Sequence, residues 1–316
     1  MKKKVAVVGA GTMGAAIAGV FVKHEYDVAI YSRSDATLEA AKGVVTCIAG
    51  PDASVTYTTS LERCVAGAVI VSESVAENAA VKQKLFADIE QWVDADCLLS
   101  SNTSSVSITD IARHLARPER VIGLHWFNPP DIMPLIEIIS GAATSGDAIQ
   151  RARDICAELG KEVIEVKQDI AGFVVNRLQY AILREALYLV ESGVASIADV
   201  DLAVESTLAP RWSAFGPLKL MDLAGLDVVE RVSDILMPAL SRDTGTSALV
   251  RRLCSEQALG IKTERGFYEW TTDSIRSALQ RRDETVRMLV EHRARASECA
   301  RIDGQAAEEG MTRARM

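Results

Sequence analysis

The sequence has little of what several protein classes require. Its six cysteines stand singly, without a CxxC pair or metal-ligand spacing, among 316 residues with only four histidines. That pattern argues against a disulfide framework and a metal site, and it indicates reduced thiols in the cytoplasm. Lys and Arg total 35 against 43 Asp and Glu, so the formal net charge is -8. A nucleic-acid partner is not expected, because phosphate binding needs clustered cations.

Long hydrophobic runs are also missing. The apolar run at residues 5–8 follows three lysines but breaks at once into GAGTMG at residues 9–14, too short for a signal peptide. No other run is long enough for a bilayer span, so no membrane partner is expected. The length and the 48% hydrophobic content predict a substantial core divided between two domains.

Short apolar runs alternate with amphipathic segments in the first half of the chain. Six runs read as buried strands: Val5–Val8, Val28–Tyr31, Val69–Val71, Cys97–Ser100, Val121–His125 and Leu135–Ile139. The alternation predicts an α/β protein with a Rossmann-like, doubly wound parallel sheet, followed by a second, all-helical domain. The expected boundaries are 1–168 for the NAD(P)-binding domain, 169–270 for the helical domain and 271–316 for a polar helical tail.

The strand at residues 5–8 leads into a GxGxxG turn and then a helical pattern. In a dinucleotide site Gly9 permits the tight turn, Gly11 lets the backbone approach the pyrophosphate, and Gly14 lets helix and strand pack closely. Thr12 and Met13 open the helix whose N-terminus receives the pyrophosphate. The order of strand, glycines and helix predicts an NAD(P) cofactor, although such glycines also occur in plain structural turns.

The second strand ends in Ser32 and Arg33, where an NAD site usually has an acidic residue for the ribose 2′-hydroxyl. Asp35 lies beyond that position. An Arg nearby suits a 2′-phosphate, so this turn favours NADP(H) over NAD(H). The alternative is that Arg33 is only a solvated loop residue.

Polar side chains end two further strands, and a carboxylate interrupts a third. Residues 101–105 read SNTSS, His125 closes the strand at 121–125, and Glu137 stands within Leu135–Ile139. A His is the natural base for removing a hydroxyl proton as a hydride leaves, and a carboxylate orients its ring. The simpler interpretation is a hydrogen-bonded His and a helix cap at Ser107 or Thr109.

Seven motifs together resemble the L-3-hydroxyacyl-CoA dehydrogenase family between about residues 4 and 270. They are GAGTMG, SNTSSVSI, GLHWFNPP, PLIEII, DIAGFVVNRL, FGPLKLMDLAGLD and KTERGFYEW, in that order. The resemblance implies that His125 is the catalytic base and Glu137 its partner. It implies that Ser104 and Asn176 bind the substrate oxygen and the nicotinamide side of the site. Four further matches are cofactor contacts in the family: Glu77, Lys82, Asn128 and Lys262. By pattern alone, Lys82 and Lys262 read as surface residues.

Two departures leave the substrate open. Relatives that use coenzyme A thioesters carry a long helical hairpin after the second strand, whereas residues 34–54 are much shorter here. Arg211, before Phe215, resembles the branch that acts on free 3-hydroxy acids, and it would pair with a substrate carboxylate. Residues 221–227 instead resemble the acyl-CoA branch.

Three functions follow from this. The leading one is a 3-hydroxyacyl-CoA dehydrogenase, and the alternative is a dehydrogenase of a free polar 3-hydroxy acid, L-gulonate- or carnitine-like. The third is a binding or structural protein without turnover, against which the intact set of His125, Glu137, Ser104 and Asn176 argues. A helix beginning near Phe173 is apolar on more than one side, which predicts a homodimer.

Overall fold

The computed structural model describes the backbone of residues 2–313 and the side chains of residues 2–295. An eight-stranded sheet dominates the first part of the chain. Its strands are β1 (Lys4–Val8), β2 (Asp27–Tyr31), β3 (Val55–Thr58), β4 (Ile70–Glu73), β5 (Leu98–Ser101), β6 (Val121–Trp126), β7 (Leu135–Ser140) and β8 (Glu162–Val166). The order β3-β2-β1-β4-β5-β6-β7-β8 reverses direction at β1. Ligands of such sheets bind beyond the carboxyl ends of the strands at that switch point.

The structure confirms the six predicted strands, within a residue or two at each end, and adds β3 and β8. Both added strands are at the edges of the sheet. Most of their residues are only partly covered, and polar or charged side chains interrupt the apolar residues of each strand. The search for continuous apolar runs missed them because an edge strand is not buried on both faces.

One strand pair departs from the predicted parallel arrangement. Six neighbouring pairs are parallel, whereas β7 runs antiparallel to β6. In this register His125 stands directly opposite Glu137. The antiparallel pair therefore brings the predicted base and its carboxylate together across a single ladder position.

Helices cover both faces of the sheet. They are α1 (Thr12–Lys23), α2 (Asp35–Ala49), α3 (Leu61–Val65), α4 (Ala79–Glu90), α5 (Ile108–Ala112) and α6 (Gly146–Glu158), with a 3-10 turn at Pro118–Arg120. Alternate residues of β1 enter two separate cores. Val5 and Val7 pack in the cluster that contains Phe21 of α1, whereas Ala6 and Val8 pack in the cluster that contains Phe86 of α4. The sheet is thus the middle layer of three.

The chain divides into two compact units, Met1–Arg177 and Leu178–Met316, and the second unit begins nine residues after the predicted start of the helical domain. The second unit is helical, and its first helix begins in the first unit. The helices are α7 (Val175–Glu191), α8 (Ile197–Ala203), α9 (Ala209–Ala214), α10 (Pro217–Ala224), α11 (Leu226–Leu236), α12 (Ala248–Ser255) and α13 (Thr272–Arg313), with a π-helical segment at Val204–Leu208.

Helix α13 occupies most of the predicted polar tail, and residues 314–316 lie outside the described part of the chain. Among the described residues, no helix is both long and apolar enough to cross a membrane.

Candidate active site

The glycine turn after β1 has no room for side chains at two of its three glycines. Gly9 has a φ of +110°, and a methyl group there would lie 2.5 Å from the carbonyl oxygen of Ser74. A methyl group on Gly14 would lie 1.8 Å from the carbonyl oxygen of Gly9. At Gly11 nothing lies within 4 Å of the corresponding position. The turn is therefore closed against β4 and α1, and it is open at the glycine where a pyrophosphate would approach.

Helix α1 begins at this opening. Its N-cap is Gly11, and no side chain caps the first turn. The amides of Thr12 and Met13 consequently point out of the helix end without an intrahelical acceptor. Free amides and the positive end of the helix dipole form a site for an anion, so these residues fit the pyrophosphate of a dinucleotide.

The turn after β2 carries no acidic side chain at the strand end. The Ser32 amide donates to the Thr58 carbonyl at 3.3 Å, and Ser32 Oγ accepts from the Ser34 amide at 3.3 Å. Arg33 is exposed, and it makes no hydrogen bond or ion pair with any described residue. Asp35 opens α2 beyond the turn. An exposed cation therefore stands where an NAD site usually has an acidic residue for the ribose.

His125 and Glu137 form a buried pair. The two side chains are 4% and 0% exposed, and His125 Nδ1 lies 2.6 Å from Glu137 Oε2. The rings of Phe127 and Phe173 meet the imidazole edge-on, with centroids 4.7 and 5.5 Å away. The sequence had not identified these two aromatic neighbours, which keep water from the ring.

The other oxygen of Glu137 is bound at the start of α7. The amides of Val174 and Val175 donate to Oε1 at 3.0 and 2.9 Å. Burial acts to raise the pKa of Glu137, but the hydrogen bonds from His125 and the two amides outweigh it and hold that pKa below its usual value. Glu137 is therefore a carboxylate near neutral pH, and the carboxylate that would be costly in the apolar strand is fully partnered.

Ser104 lies at the remaining nitrogen of the imidazole. Its Oγ is 3.0 Å from His125 Nε2, and the residue is otherwise exposed. Ser107 caps α5 by accepting from the Asp110 amide at 3.1 Å, as the alternative interpretation proposed. Thr109 does not cap it, because its own amide donates to Asp169 at 2.9 Å. The polar cluster after β5 thus contains both a helix cap and a partner of the base.

Lys82 is buried, so its surface interpretation is wrong. The residue is 0% exposed, and Nζ donates to both oxygens of Glu73 at 2.7 and 2.9 Å. Glu77 Oε2 lies 3.4 Å from the same nitrogen. The sequence analysis did not single out Glu73. The signal was present, because Lys82, Phe86 and Ile89 follow the i, i+4, i+7 spacing of the buried face of α4.

Asn102 is a second residue that the sequence analysis passed over. Its Oδ1 accepts from the Trp126 amide at 2.9 Å, and its Nδ2 donates to Ser74 Oγ at 3.4 Å. It therefore joins the ends of β5 and β6 to the segment beside the glycine turn. Asn128 is exposed and precedes a cis peptide bond to Pro129.

The remaining predicted residues are distributed over the two units. Asn176 is half-buried at the second position of α7, in the first unit. Arg211 in α9 and Lys262 after α12 lie in the second unit, and both are exposed. Among the described residues, no three His, Cys, Asp or Glu side chains are placed to hold a metal ion.

Two family models match consecutive parts of the chain between residues 4 and 270. Residues 4–170 match the 3-hydroxyacyl-CoA dehydrogenase NAD-binding domain, and residues 172–270 match the C-terminal domain of the same family. A relative from Mesorhizobium japonicum, a 5-formyl-3-hydroxy-2-methylpyridine 4-carboxylate 5-dehydrogenase, is 33% identical over 93% of this chain and 100% of its own length. A 3-hydroxybutyryl-CoA dehydrogenase from Mycobacterium tuberculosis is 34% identical over 85% of this chain and 98% of its own length.

Solved structures show the same two kinds of relative. The crystal structure of a 5-formyl-3-hydroxy-2-methylpyridine 4-carboxylic acid 5-dehydrogenase, described as an NAD+ dependent dismutase, has a TM-score of 0.87 at 32% identity. That match covers 93% of this chain and 98% of the other. A (S)-3-hydroxybutyryl-CoA dehydrogenase from Ralstonia eutropha has a TM-score of 0.70 at 31% identity, covering 86% of this chain and 100% of the other.

Proposed function

We propose His125 as the general base of this chain, which belongs to the 3-hydroxyacyl-CoA dehydrogenase family and is an NAD(P)-dependent oxidoreductase acting on a hydroxyl group. The observation that carries the proposal is the buried contact of 2.6 Å between His125 Nδ1 and Glu137 Oε2. A base needs one nitrogen that holds a proton and a second that is free to accept one.

The hydrogen bonds around Glu137 assign those roles. Glu137 accepts from two main-chain amides and is a carboxylate, so the proton between it and His125 belongs to Nδ1. Nε2 is then the unprotonated nitrogen, and it accepts from Ser104 Oγ in the free protein. A substrate hydroxyl beside Ser104 would donate its proton to Nε2 instead. As Nε2 takes that proton, Glu137 stabilises the imidazolium.

The bonds of the oxidation balance as follows. The hydroxyl O–H bond breaks and its proton moves to Nε2, the C–H bond breaks, and a C=O bond forms. When bound, the dinucleotide supplies the acceptor for the hydride. Ser104 remains to donate a hydrogen bond to the oxygen as it becomes a carbonyl. We keep Asn176 as the second partner of that oxygen, because it directly follows the two amides that hold Glu137.

For the substrate, we propose a compact carboxylic acid in preference to a coenzyme A thioester. α2 is a single helix of 15 residues, and only residues 50–54 separate it from β3, so no helical hairpin stands there to hold a coenzyme A moiety. The name of the Mesorhizobium relative describes a pyridine carboxylate without a thioester. 3-Hydroxyacyl-CoA is the second candidate, because the names of other relatives describe it.

Arg211 is the proposed anchor for the substrate carboxylate. Its Nε donates to the Thr207 carbonyl at 3.0 Å, and its terminal nitrogens make no hydrogen bond with any described residue. The π-helical segment Val204–Leu208 ends three residues before Arg211. Pro210, which lies between them, lacks the amide that a regular helix needs. Such segments occur often at functional sites, and a planar guanidinium suits a carboxylate.

The test is oxidation of NADH and of NADPH with acetoacetyl-CoA, with a free 3-keto acid and with an aromatic aldehyde acid. We expect turnover with an acid, and we expect Arg211→Met to raise KM for that acid with little effect on cofactor affinity. Turnover with acetoacetyl-CoA alone would reject the compact acid and support the thioester. Arg211→Lys is the matched variant, since it keeps the charge without the planar fork.

The same assay tests the coenzyme. We propose a preference for NADP(H), supported by the exposed Arg33 and by the absence of an acidic side chain at residues 32–34. Arg33→Ala should then weaken the binding of NADPH by about tenfold or more relative to that of NADH, because a charge-assisted hydrogen bond contributes about 1.5–3 kcal/mol. A wild-type preference for NADH would overturn this assignment.

We also propose a homodimer formed through the helical unit, in the cytoplasm. None of the residues of α7 to α12 is buried in the single chain, and many are large and apolar. The five cysteines with described side chains are free thiols, which suits a reducing compartment.

A further inference from the structure

We infer that Glu77 is a positioning residue, fixed by the buried Lys82, and that it holds the loop of residues 103–106 so that Ser104 meets His125. This role differs from direct contact with a cofactor, which is what resemblance alone implied for Glu77 and Lys82. The inference deepens the proposed function and rests on it, because it concerns the partner of the proposed base.

One oxygen of Glu77 gathers the whole loop. Oε1 accepts from the Ser104 amide at 2.8 Å, from the Ser105 amide at 2.7 Å and from Ser105 Oγ at 2.9 Å. Thr103 Oγ1 donates to it at 2.7 Å, and the Val106 amide lies 3.3 Å away. The loop has no regular secondary structure, and these bonds order it together with those that Thr103 makes to Ser105 and Val106. Removal of the carboxylate would free Ser104 to leave His125.

Lys82 fixes the other oxygen of Glu77. Nζ has three protons, and Glu73 Oε1, Glu73 Oε2 and Glu77 Oε2 surround it at 2.7, 2.9 and 3.4 Å. Glu73 is held in turn by Ser101 Oγ at 2.6 Å and by the Val75 amide at 2.6 Å. The ammonium is buried, donates two hydrogen bonds to Glu73 and forms an ion pair with Glu77.

Lys82, Glu73 and Glu77 form a cluster of one ammonium and two carboxylates. A buried ammonium without a partner is costly, and two carboxylates around it leave the group with one net negative charge. Burial acts to raise the pKa of Glu77, but hydrogen bonds from Thr103 and Ser105 and the charge of Lys82 hold it down at about 2. Glu77 is therefore a carboxylate, and keeps its hydrogen bonds to the loop, between about pH 5 and pH 8.

The experiment compares Glu77→Ala, Glu77→Gln, Ser104→Ala and the double variant Glu77→Ala/Ser104→Ala, with Glu62→Ala on α3 as an exposed control. We expect Glu77→Ala to lower kcat by about 10- to 100-fold through misplacement of Ser104. The Kd of NADH and of NADPH, measured by fluorescence titration, should barely change. Glu77→Gln keeps an acceptor oxygen and should retain more activity. The double variant should be no slower than Ser104→Ala, because Glu77 acts through Ser104.

Hydrogen exchange gives a readout that needs no substrate. The amides of residues 104–106 should exchange faster in Glu77→Ala than in wild type or Glu62→Ala. Glu73→Gln/Lys82→Met, which removes both charges of the buried pair, should also speed their exchange. A raised cofactor Kd that persists in the Ser104→Ala background, or unchanged exchange in the loop, would overturn the inference. Absence of wild-type turnover would reject the proposed function alone, because exchange and titration still decide the role of Glu77.

Discussion

At the scale of single residues, we propose that Glu137 selects the tautomer of His125. A glutamine at position 137 would keep an oxygen for the amides of Val174 and Val175, but it would turn an NH2 group toward Nδ1. Nδ1 would then have to accept, and the proton would move to Nε2. We expect Glu137→Gln to lower kcat by about 10²- to 10⁴-fold, since the base would be protonated at its reactive nitrogen.

The measurement is steady-state kcat beside the Kd of the reduced cofactor. His125→Gln should abolish turnover with nearly unchanged cofactor affinity. Glu62→Gln, an exposed isosteric change, serves as the control. A Glu137→Gln variant with normal kcat would show that the pair is structural and that the base lies elsewhere.

Acid stability follows from Glu77. Its pKa of about 2 in the folded chain is below the unfolded value of about 4.3. A depressed pKa stabilises the folded state above the unfolded pKa, and this stabilisation disappears as pH falls through the folded pKa. We expect the thermal midpoint of wild type to exceed that of Glu77→Gln at pH 7. The gap should narrow between about pH 5 and pH 2; a constant gap would contradict this.

The sequence predicts individual site residues better than it predicts their partners. His125 and Glu137 could be predicted from the sequence, because a polar residue at a strand end or within an apolar run is unusual. Glu73 and Asn102 could not be predicted, because they join β4, β5, β6 and α4 and no local sequence pattern indicates such contacts. The burial of Lys82 was not predicted, although the helical spacing indicated it, because a lysine is rarely assigned to a buried face.

At the scale of elements, the first turn of α7 supplies an amide to Glu137, the proposed partner of the base. Val175 is the first residue of that helix, a position where proline is well tolerated. Val175→Pro should therefore preserve the helix and delete one of the two amides on Glu137. We expect the pKa of Glu137 to rise and kcat to fall by roughly tenfold for a lost bond to a charged group.

The matched control is Val175→Ala, which keeps the amide. Circular dichroism should show equal helix content in both variants, and kcat against pH should differ only for the proline. Equal kcat in the two variants would mean that the amide of Val174 alone suffices.

At the same scale, the apolar pattern alone could not predict the direction in which neighbouring strands pair. Leu135–Ile139 is an apolar run of the kind found in parallel sheets, and it gives no sign that β7 runs against β6. Direction is set by the short connection of residues 127–134, since a parallel crossover needs a dozen residues or more. Length of the connection was thus the usable signal.

At the scale of the whole molecule, the helical unit lacks a closed core of its own. Leu218, Leu223 and Ile235 are 83%, 68% and 73% exposed. Exposed apolar area of this extent marks an interface in a well-behaved protein. We expect sedimentation at micromolar concentration to give twice the mass of the 34.1 kDa chain.

Substitution of Leu218 and Leu223 by Glu should shift that equilibrium toward the monomer. Arg231→Glu, at an exposed polar position on α11, is the control for added negative charge. A wild-type monomer at micromolar concentration would end the dimer proposal.

The holding of Glu137 by main-chain amides has a consequence for how such a chain diverges. Amides are common to every residue but proline, so the side chains at positions 174 and 175 are free to drift without loosening the carboxylate. The proposed base and its carboxylate therefore tolerate side-chain substitutions at these two positions, whereas a substitution at Arg211, the proposed substrate anchor, would change recognition directly. A family can accordingly keep one acid–base pair and acquire new substrates through substitutions at other residues.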